Sequence, residues 1–183
     1  MAAFAGALAV ELGLSGRDLD AVEVGGVIHD IGKVGVSDSV LLKPDRLTDE
    51  EFAEMRRHPM ISSYILAELE LPRIVQQMAR SHHERYDGSG YPDGLAGDDI
   101  PLVARILSVA DALDAMTSDR PYRDALPLDV ALREIDAQAG SQFCPRVVAA
   151  LRASVNRDPT LGGRFAPPSA AHAASRSVIR PAL

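Results

Sequence analysis

Apolar residues recur at three- and four-residue spacing from the start of this chain to about residue 155, and no convincing stretch alternates with the two-residue period of a half-buried strand. That pattern points to packed helices. Composition agrees: 46% of the 183 residues are apolar, 4% are aromatic and none is tryptophan. A core made of Ala, Val, Leu and Ile suits helices better than a β-sandwich. The length accommodates one domain with a sizeable core. The expected fold class is all-α, a helical bundle over residues 1–155.

Phe4, Leu8 and Leu12 share a face of a first helix that Gly13 ends. Ser15 is the expected N-cap of a second helix, running through Leu19, Val22, Val27 and Ile28 to Asp30 before Gly32 and Gly35 break it. Thr48 with Glu51 three residues on reads as a capping box opening a helix towards His58. Pro59 starts the next helix, with Ile61, Ile65, Leu66 and Leu69 inward. Pro72 opens another (Ile74, Val75, Met78) that delivers His82 and His83 at its end. Residues 87–100 are rich in Gly and Pro and form a turn-rich loop. Pro101 starts an apolar helix carrying Arg105 and Asp111, and two shorter helices are expected over 127–139 and 145–154. From Asn156 the chain turns to Ala, Ser, Pro and Gly without periodicity, the composition of a disordered tail over 156–183, and His172 lies there.

The formal charge of −7 argues against a general DNA-binding surface, which wants a basic face. It leaves room for a small phosphate ligand, because bound metals and a few arginines set the local field. No apolar run approaches the ~20 residues of a membrane span, and no secretory signal is evident. The single cysteine, Cys144, cannot form an internal disulfide, so a reducing cytoplasm is the natural setting.

Only five histidines occur, and four stand with two aspartates in a metal-ligand pattern: His29-Asp30, His58, His82-His83 and Asp111. Successive residues on a helix point about 100° apart. A neighbouring His-Asp pair can therefore serve two ions, with the carboxylate bridging while the imidazole takes one. Imidazole with carboxylate suits Fe, Mn or Zn, and the lack of usable Cys argues against a structural thiolate zinc site. Two ions ~3.5–4 Å apart would polarise a phosphoryl group and activate a water. Taken singly, an HD or HH pair is ordinary filler; Asp111 inside an apolar helix is harder to dismiss, since a buried carboxylate needs a partner. Jointly they point to a metal-dependent phosphohydrolase. Lys33, past the Gly32 break, could neutralise a phosphate oxygen. Arg120 and Arg123 flank Pro121-Tyr122, and their forks suit phosphate contacts, although a solvated pair is as ordinary a reading.

The strings HDIGK (29–33), LLKP (41–44), HP (58–59), HHERYDGSGYP (82–92), RILSVADALDAMTSDRPYR (105–123) and GSQF (140–143) together resemble the HD-GYP family of metal-dependent phosphohydrolases, in order, over about residues 5–155. The resemblance implies an all-helical domain that hydrolyses cyclic di-GMP to linear pGpG or GMP with a centre of iron or manganese. Carried over by residue, His29, Asp30 and Asp111 would hold one metal and Asp30, His58, His82 and His83 the next. Lys33, Arg120 and Arg123 would contact the phosphates, and Gly90-Tyr91-Pro92 would shape the rim or dock a partner. The family also places a histidine on the helix upstream of HD, a position that here would precede Met1. The expectation is thus a first helix incomplete at its start, two divalent ions and no third. Cys144 stands where the family usually has Asp, with a local effect expected.

Three functional readings follow. The leading one is a cyclic di-GMP phosphodiesterase, with Asp30 and Lys33 at the chemistry. The second is a catalytically weakened module that binds cyclic di-GMP or a GGDEF-type diguanylate cyclase as a regulator, beneath an upstream sensor or receiver domain. The third keeps hydrolysis but changes the substrate to another cyclic dinucleotide or a nucleotide phosphate.

Overall fold

The computed structural model describes residues 1–119 and 124–158. Nine helices follow one another among them: α1 (Ala2–Glu11), α2 (Arg17–Ile28), α3 (Asp38–Leu41), α4 (Asp49–Met55), α5 (His58–Glu68), α6 (Arg73–Ser81), α7 (Leu102–Thr117), α8 (Leu128–Ala137) and α9 (Pro145–Arg157). Short 3-10 turns occupy Ile31–Gly35 and Gly97–Asp99. The described residues contain no strand, only an isolated bridge between Ala139 and Phe143.

Helix starts follow local chemistry. Thr48 caps α4 in a full capping box with Glu51. Prolines, which lack the N–H that a first turn leaves unpaired, stand at the starts of α5 and α9 and as the N-caps of α6, α7 and α8.

The main core joins α1, α7, α8 and α9. Phe4 and Leu8 meet Ile106, Leu107 and Leu113, with Ile135, Val147 and Leu151 closing the other side. A second, smaller cluster of Ala21, Leu66, Val75 and Ala79 ties α2, α5 and α6 together. α7 therefore packs against α1, α6, α8 and α9, and the ends of α2, α4 and α6 converge on one another.

Several expected details differ. The N-cap of α2 is Gly16, without a side-chain bond, rather than Ser15, and the helix ends at Ile28. Its inward face is Ala21, Val22, Gly25 and Gly26, while Val27 is 73% exposed. The two glycines let α2 approach its neighbours closely, with Met78 Sδ over Gly25 and Ala2 against Gly26. That small-residue face, not the bulkiest valine, sets the helix rotation. Leu69, expected inward, is 63% exposed because α5 ends at Glu68, just past its last buried contact at Leu66. Asn156 and Arg157, expected in the tail, belong to α9.

Candidate metal centre

Four donor side chains from three separate elements meet at one point. Asp30 leads into the 3-10 turn after α2, His58 opens α5, and His82 and His83 follow the end of α6. One ligand atom from each lies within 4.8 Å of every other. His58 and His82 are almost fully buried, and Asp30 and His83 are partly so.

The rings are aimed by the backbone. His29 Nδ1 lies 2.9 Å from the Gly26 carbonyl, His58 Nδ1 2.7 Å from that of Met55, and His82 Nδ1 2.9 Å from that of Ala79. These carbonyls belong to the last turns of α2, α4 and α6, where no helical N–H remains to pair with them. A carbonyl can only accept, so Nδ1 donates and carries the proton. In the neutral ring Nε2 is then a bare lone pair, the orientation that metal-binding histidines require.

Those lone pairs face one carboxylate. Asp30 Oδ1 lies 3.1 Å from His58 Nε2 and 3.6 Å from His82 Nε2. Asp30 Oδ1, His58 Nε2 and His82 Nε2 are all buried without a hydrogen-bond partner. Acceptor against acceptor at this range is unfavourable unless positive charge is shared between them, so the residues present fit a bound cation. The other oxygen, Asp30 Oδ2, turns away, to Lys33 Nζ at 2.5 Å and His29 Nε2 at 3.5 Å. The aspartate thus offers one oxygen to each side.

Electrostatics favour the ligand form of Asp30, His83 and His29. Burial pushes the Asp30 carboxyl up, but in the metal-free chain positive charge shared with His58 and His82, then His29 and the Lys33 ammonium, holds it far below the usual carboxylate range. Burial, then His82 and His58, push His83 down to about 2, and burial followed by His82 lowers His29. Asp111, half-buried in α7, stands outside the four-donor group, yet its charge favours a protonated His29. Lys33 is 39% exposed beside the cluster. Arg120 and Arg123 lie outside the described residues.

Three residues, Ser62, Glu84 and Arg80, had no sequence signal that singled them out. The hydroxyl of Ser62, fully buried on α5, accepts the Gly32 N–H at 2.8 Å and ties the 3-10 turn to α5. Glu84, 3% exposed, accepts the backbone N–H groups of Asp93 (2.7 Å), Gly94 (3.1 Å) and Leu95 (3.1 Å), fixing the loop that carries Gly90-Tyr91-Pro92. Burial raises its carboxyl, and those N–H groups oppose the rise. Arg80 forks onto Asp93 with two 2.7 Å bonds and pins the same loop from α6. Tyr91, which the resemblance did single out, stacks on His83 with ring centroids 4.9 Å apart. The triplet expected at the rim therefore reaches the metal-ligand cluster itself.

Comparison with known proteins shows the family and the fold. The family model described as HD domain matches residues 1–147. The chain is 46% identical over 173 residues to the cyclic di-GMP phosphodiesterase response regulator RpfG of Xanthomonas campestris pv. campestris (strain 8004), covering 93% of this chain and 46% of that protein. It is 44% identical over 147 residues to a cyclic di-GMP phosphodiesterase of Thermotoga maritima (79% and 40% covered). It is 36% identical over 156 residues to the 3'3'-cGAMP-specific phosphodiesterase 3 of Vibrio cholerae (85% and 34% covered). The chain spans less than half the length of each of these relatives. Among solved structures, a cyclic GMP-AMP phosphodiesterase of V. cholerae (V-cGAP3) superposes with a TM-score of 0.72 at 20% identity, covering 96% of this chain and 47% of that one. The HD domain of L. monocytogenes phosphodiesterase PgpH, in complex with cyclic-di-AMP, gives 0.61 at 20% identity, with 91% and 89% covered. At that identity the structural likeness speaks for the fold. With a family model covering most of its length and the motifs HDIGK and HHERYDGSGYP in place, the chain belongs to the HD domain family, in its HD-GYP branch.

Proposed function

We propose that the chain is a metal-dependent phosphodiesterase that opens cyclic di-GMP to linear pGpG or GMP in the cytoplasm. The observation that carries this reading is the convergence of three unpartnered buried atoms, Asp30 Oδ1, His58 Nε2 and His82 Nε2, with His83 beside them. Asp30, His58, His82 and His83 would hold one divalent ion, and His29, Asp30 and Asp111 a second, iron or manganese by donor type. When bound, such ions supply Lewis acidity for a phosphoryl group and lower the pKa of a water.

The chain's own groups do the rest. Asp30 presents Oδ1 to His58 and His82 and Oδ2 to His29 and Lys33, so it would serve both sites. Lys33 Nζ, partly exposed and held against Asp30 Oδ2, stands where it could donate to a phosphate oxygen as negative charge grows there. Arg120 and Arg123 are proposed to complete the phosphate contacts. The partner class proposed with this activity is a GGDEF-type diguanylate cyclase or a sensor or receiver domain, in line with the response-regulator name of the Xanthomonas relative.

Anaerobic incubation of the 183-residue chain with cyclic di-GMP and Mn²⁺ or Fe²⁺, with products separated by chromatography, tests the reading. Linear product that a chelator abolishes is expected. Tight binding of cyclic di-GMP with no product would favour the regulatory module instead. A second substrate deserves a parallel assay, because one relative is named for 3'3'-cGAMP. Faster hydrolysis of that dinucleotide than of cyclic di-GMP would reassign the substrate while keeping the chemistry.

A further inference from the structure

Three imidazoles of the centre owe their aim to a carbonyl three residues earlier: His29 to Gly26, His58 to Met55 and His82 to Ala79. His83 is different. Among the described residues its ring makes no hydrogen bond, and it sits one position past the helix-end geometry that serves His82. What holds it is flat contact. Tyr91 stacks on it at 4.9 Å with 24° between the planes, while His82 (4.1 Å) and His58 (5.0 Å) confine its other sides.

Tyr91 is itself fixed from several directions. Its backbone N–H donates to the His83 carbonyl at 3.2 Å, which sets ring over ring. The Arg56 guanidinium lies 4.6 Å from the Tyr91 centroid, and Phe52 meets the ring edge-on at 6.3 Å, so α4 backs the stack. Glu84, the residue after His83, gathers the N–H groups of Asp93, Gly94 and Leu95 just beyond Tyr91-Pro92. The loop presses so closely on this segment that a Cβ at Gly90 would come 2.5 Å from Glu84 Cα.

We infer that Tyr91 is a positioning residue for the metal ligand His83, with Glu84 folding the loop to place it. The aromatic ring replaces the carbonyl that orients the other imidazoles. This rests on the metal-centre reading given above. It makes the Gly90-Tyr91-Pro92 segment part of the ligand support and not only a rim.

Manganese affinity of the full 183-residue chain, measured by titration calorimetry, tests the inference without recourse to activity. Tyr91→Leu is expected to weaken the His83-dependent ion by about 10–100-fold, the usual cost of losing a ligand's outer support. Tyr91→Phe, which keeps the ring and loses only a hydroxyl, is expected to retain wild-type affinity. In a His83→Ala background, Tyr91→Leu should have no further effect, because a residue acting through His83 has nothing left to act on. Equal affinity of wild type and Tyr91→Leu would overturn the inference, and so would the same loss in both backgrounds, which would mark a general structural role. If Tyr91→Leu does not fold, as judged by helical circular dichroism, Tyr91→Met takes its place with the same expectations. A wild-type chain that takes up no manganese would overturn the metal-centre reading itself, an outcome distinct from a tyrosine without effect.

Discussion

Gly32 lies in the 3-10 turn between Asp30 and Lys33, where the turn touches the start of α5. A Cβ on it would sit 2.2 Å from the His58 carbonyl oxygen, 2.4 Å from Ser62 N and 2.7 Å from Ser62 Oγ. Two of these atoms are backbone and cannot swing aside, so in Gly32→Ala the turn must retreat by about 1 Å to restore ordinary contact. The retreat breaks the 2.8 Å bond from Gly32 N to Ser62 Oγ, leaving a buried donor and hydroxyl unpaired at a cost of about 1–3 kcal/mol. Residual crowding adds about 1–3 kcal/mol. The two overlap, because retreat relieves crowding, so a total of about 2–5 kcal/mol is expected. For a chain of this size that lowers Tm by about 5–15 °C. Asp30 moves with the turn and away from His58, so manganese affinity should fall by about 10–100-fold as well. The control stands three residues on. A Cβ at Gly35 would meet only the Ile61 side chain, 2.8 Å from its flexible Cδ1 tip and no closer than 3.5 Å elsewhere, so Gly35→Ala should cost less than about 1 kcal/mol. Thermal unfolding of the two metal-free variants followed by circular dichroism decides the matter. Indistinguishable Tm values would show that the turn does not bear on α5 as described.

Asp30→Ala is expected to abolish cyclic di-GMP turnover while leaving the helical circular dichroism intact, because Asp30 contacts both sides of the cluster but belongs to neither hydrophobic core; a variant that still turns over would refute the bridging role. Acid should destabilise the metal-free chain in two stages. His83, pushed down to about 2 by burial, stays neutral in the fold while the unfolded histidine takes up a proton below about pH 6.5, so stability present above that pH is lost on acidification. His29, lowered chiefly by burial, acts in the same direction, and Asp30, held low, adds a further loss below about pH 4. Tm measured without metal from about pH 8 down to 5 should therefore fall, and a flat or rising profile would contradict the assigned protonation states.

Much of this was legible because it is local. A capping box, prolines at helix starts and a 3.6-residue period announce helices with no knowledge of the partners they meet, and Thr48, Pro59, Pro72 and Pro101 marked starts within a residue. The candidate donors could be picked out for the same reason, since histidine beside aspartate or histidine is scarce in a chain with so few histidines. What failed depended on partners. Val27 is exposed although its neighbours on α2 are smaller, because Gly25 and Gly26 set the rotation of the helix through what they allow to approach, and no single-sequence pattern shows that. Ser62 was one serine among several until the 3-10 turn was laid against it. Glu84 stood inside the most distinctive string of the chain, yet its work is done on three backbone N–H groups nine to eleven residues away.

The carbonyls of Gly26, Met55 and Ala79 could not be read at all, because every residue has one. That same generality divides the centre into two parts with different tolerance to mutation. Where a backbone carbonyl aims the ring, the side chain on that residue is free to vary as long as the helix ends in the same place. His29, His58 and His82 should therefore keep their aim through most substitutions at the residues that orient them. His83 has no such backbone support among the described residues and depends on side chains with particular shapes: a ring at Tyr91, a carboxylate at Glu84, no Cβ at Gly90. Sensitivity to substitution should concentrate in the Glu84–Pro92 segment for that reason, although no donor to the cluster lies within it.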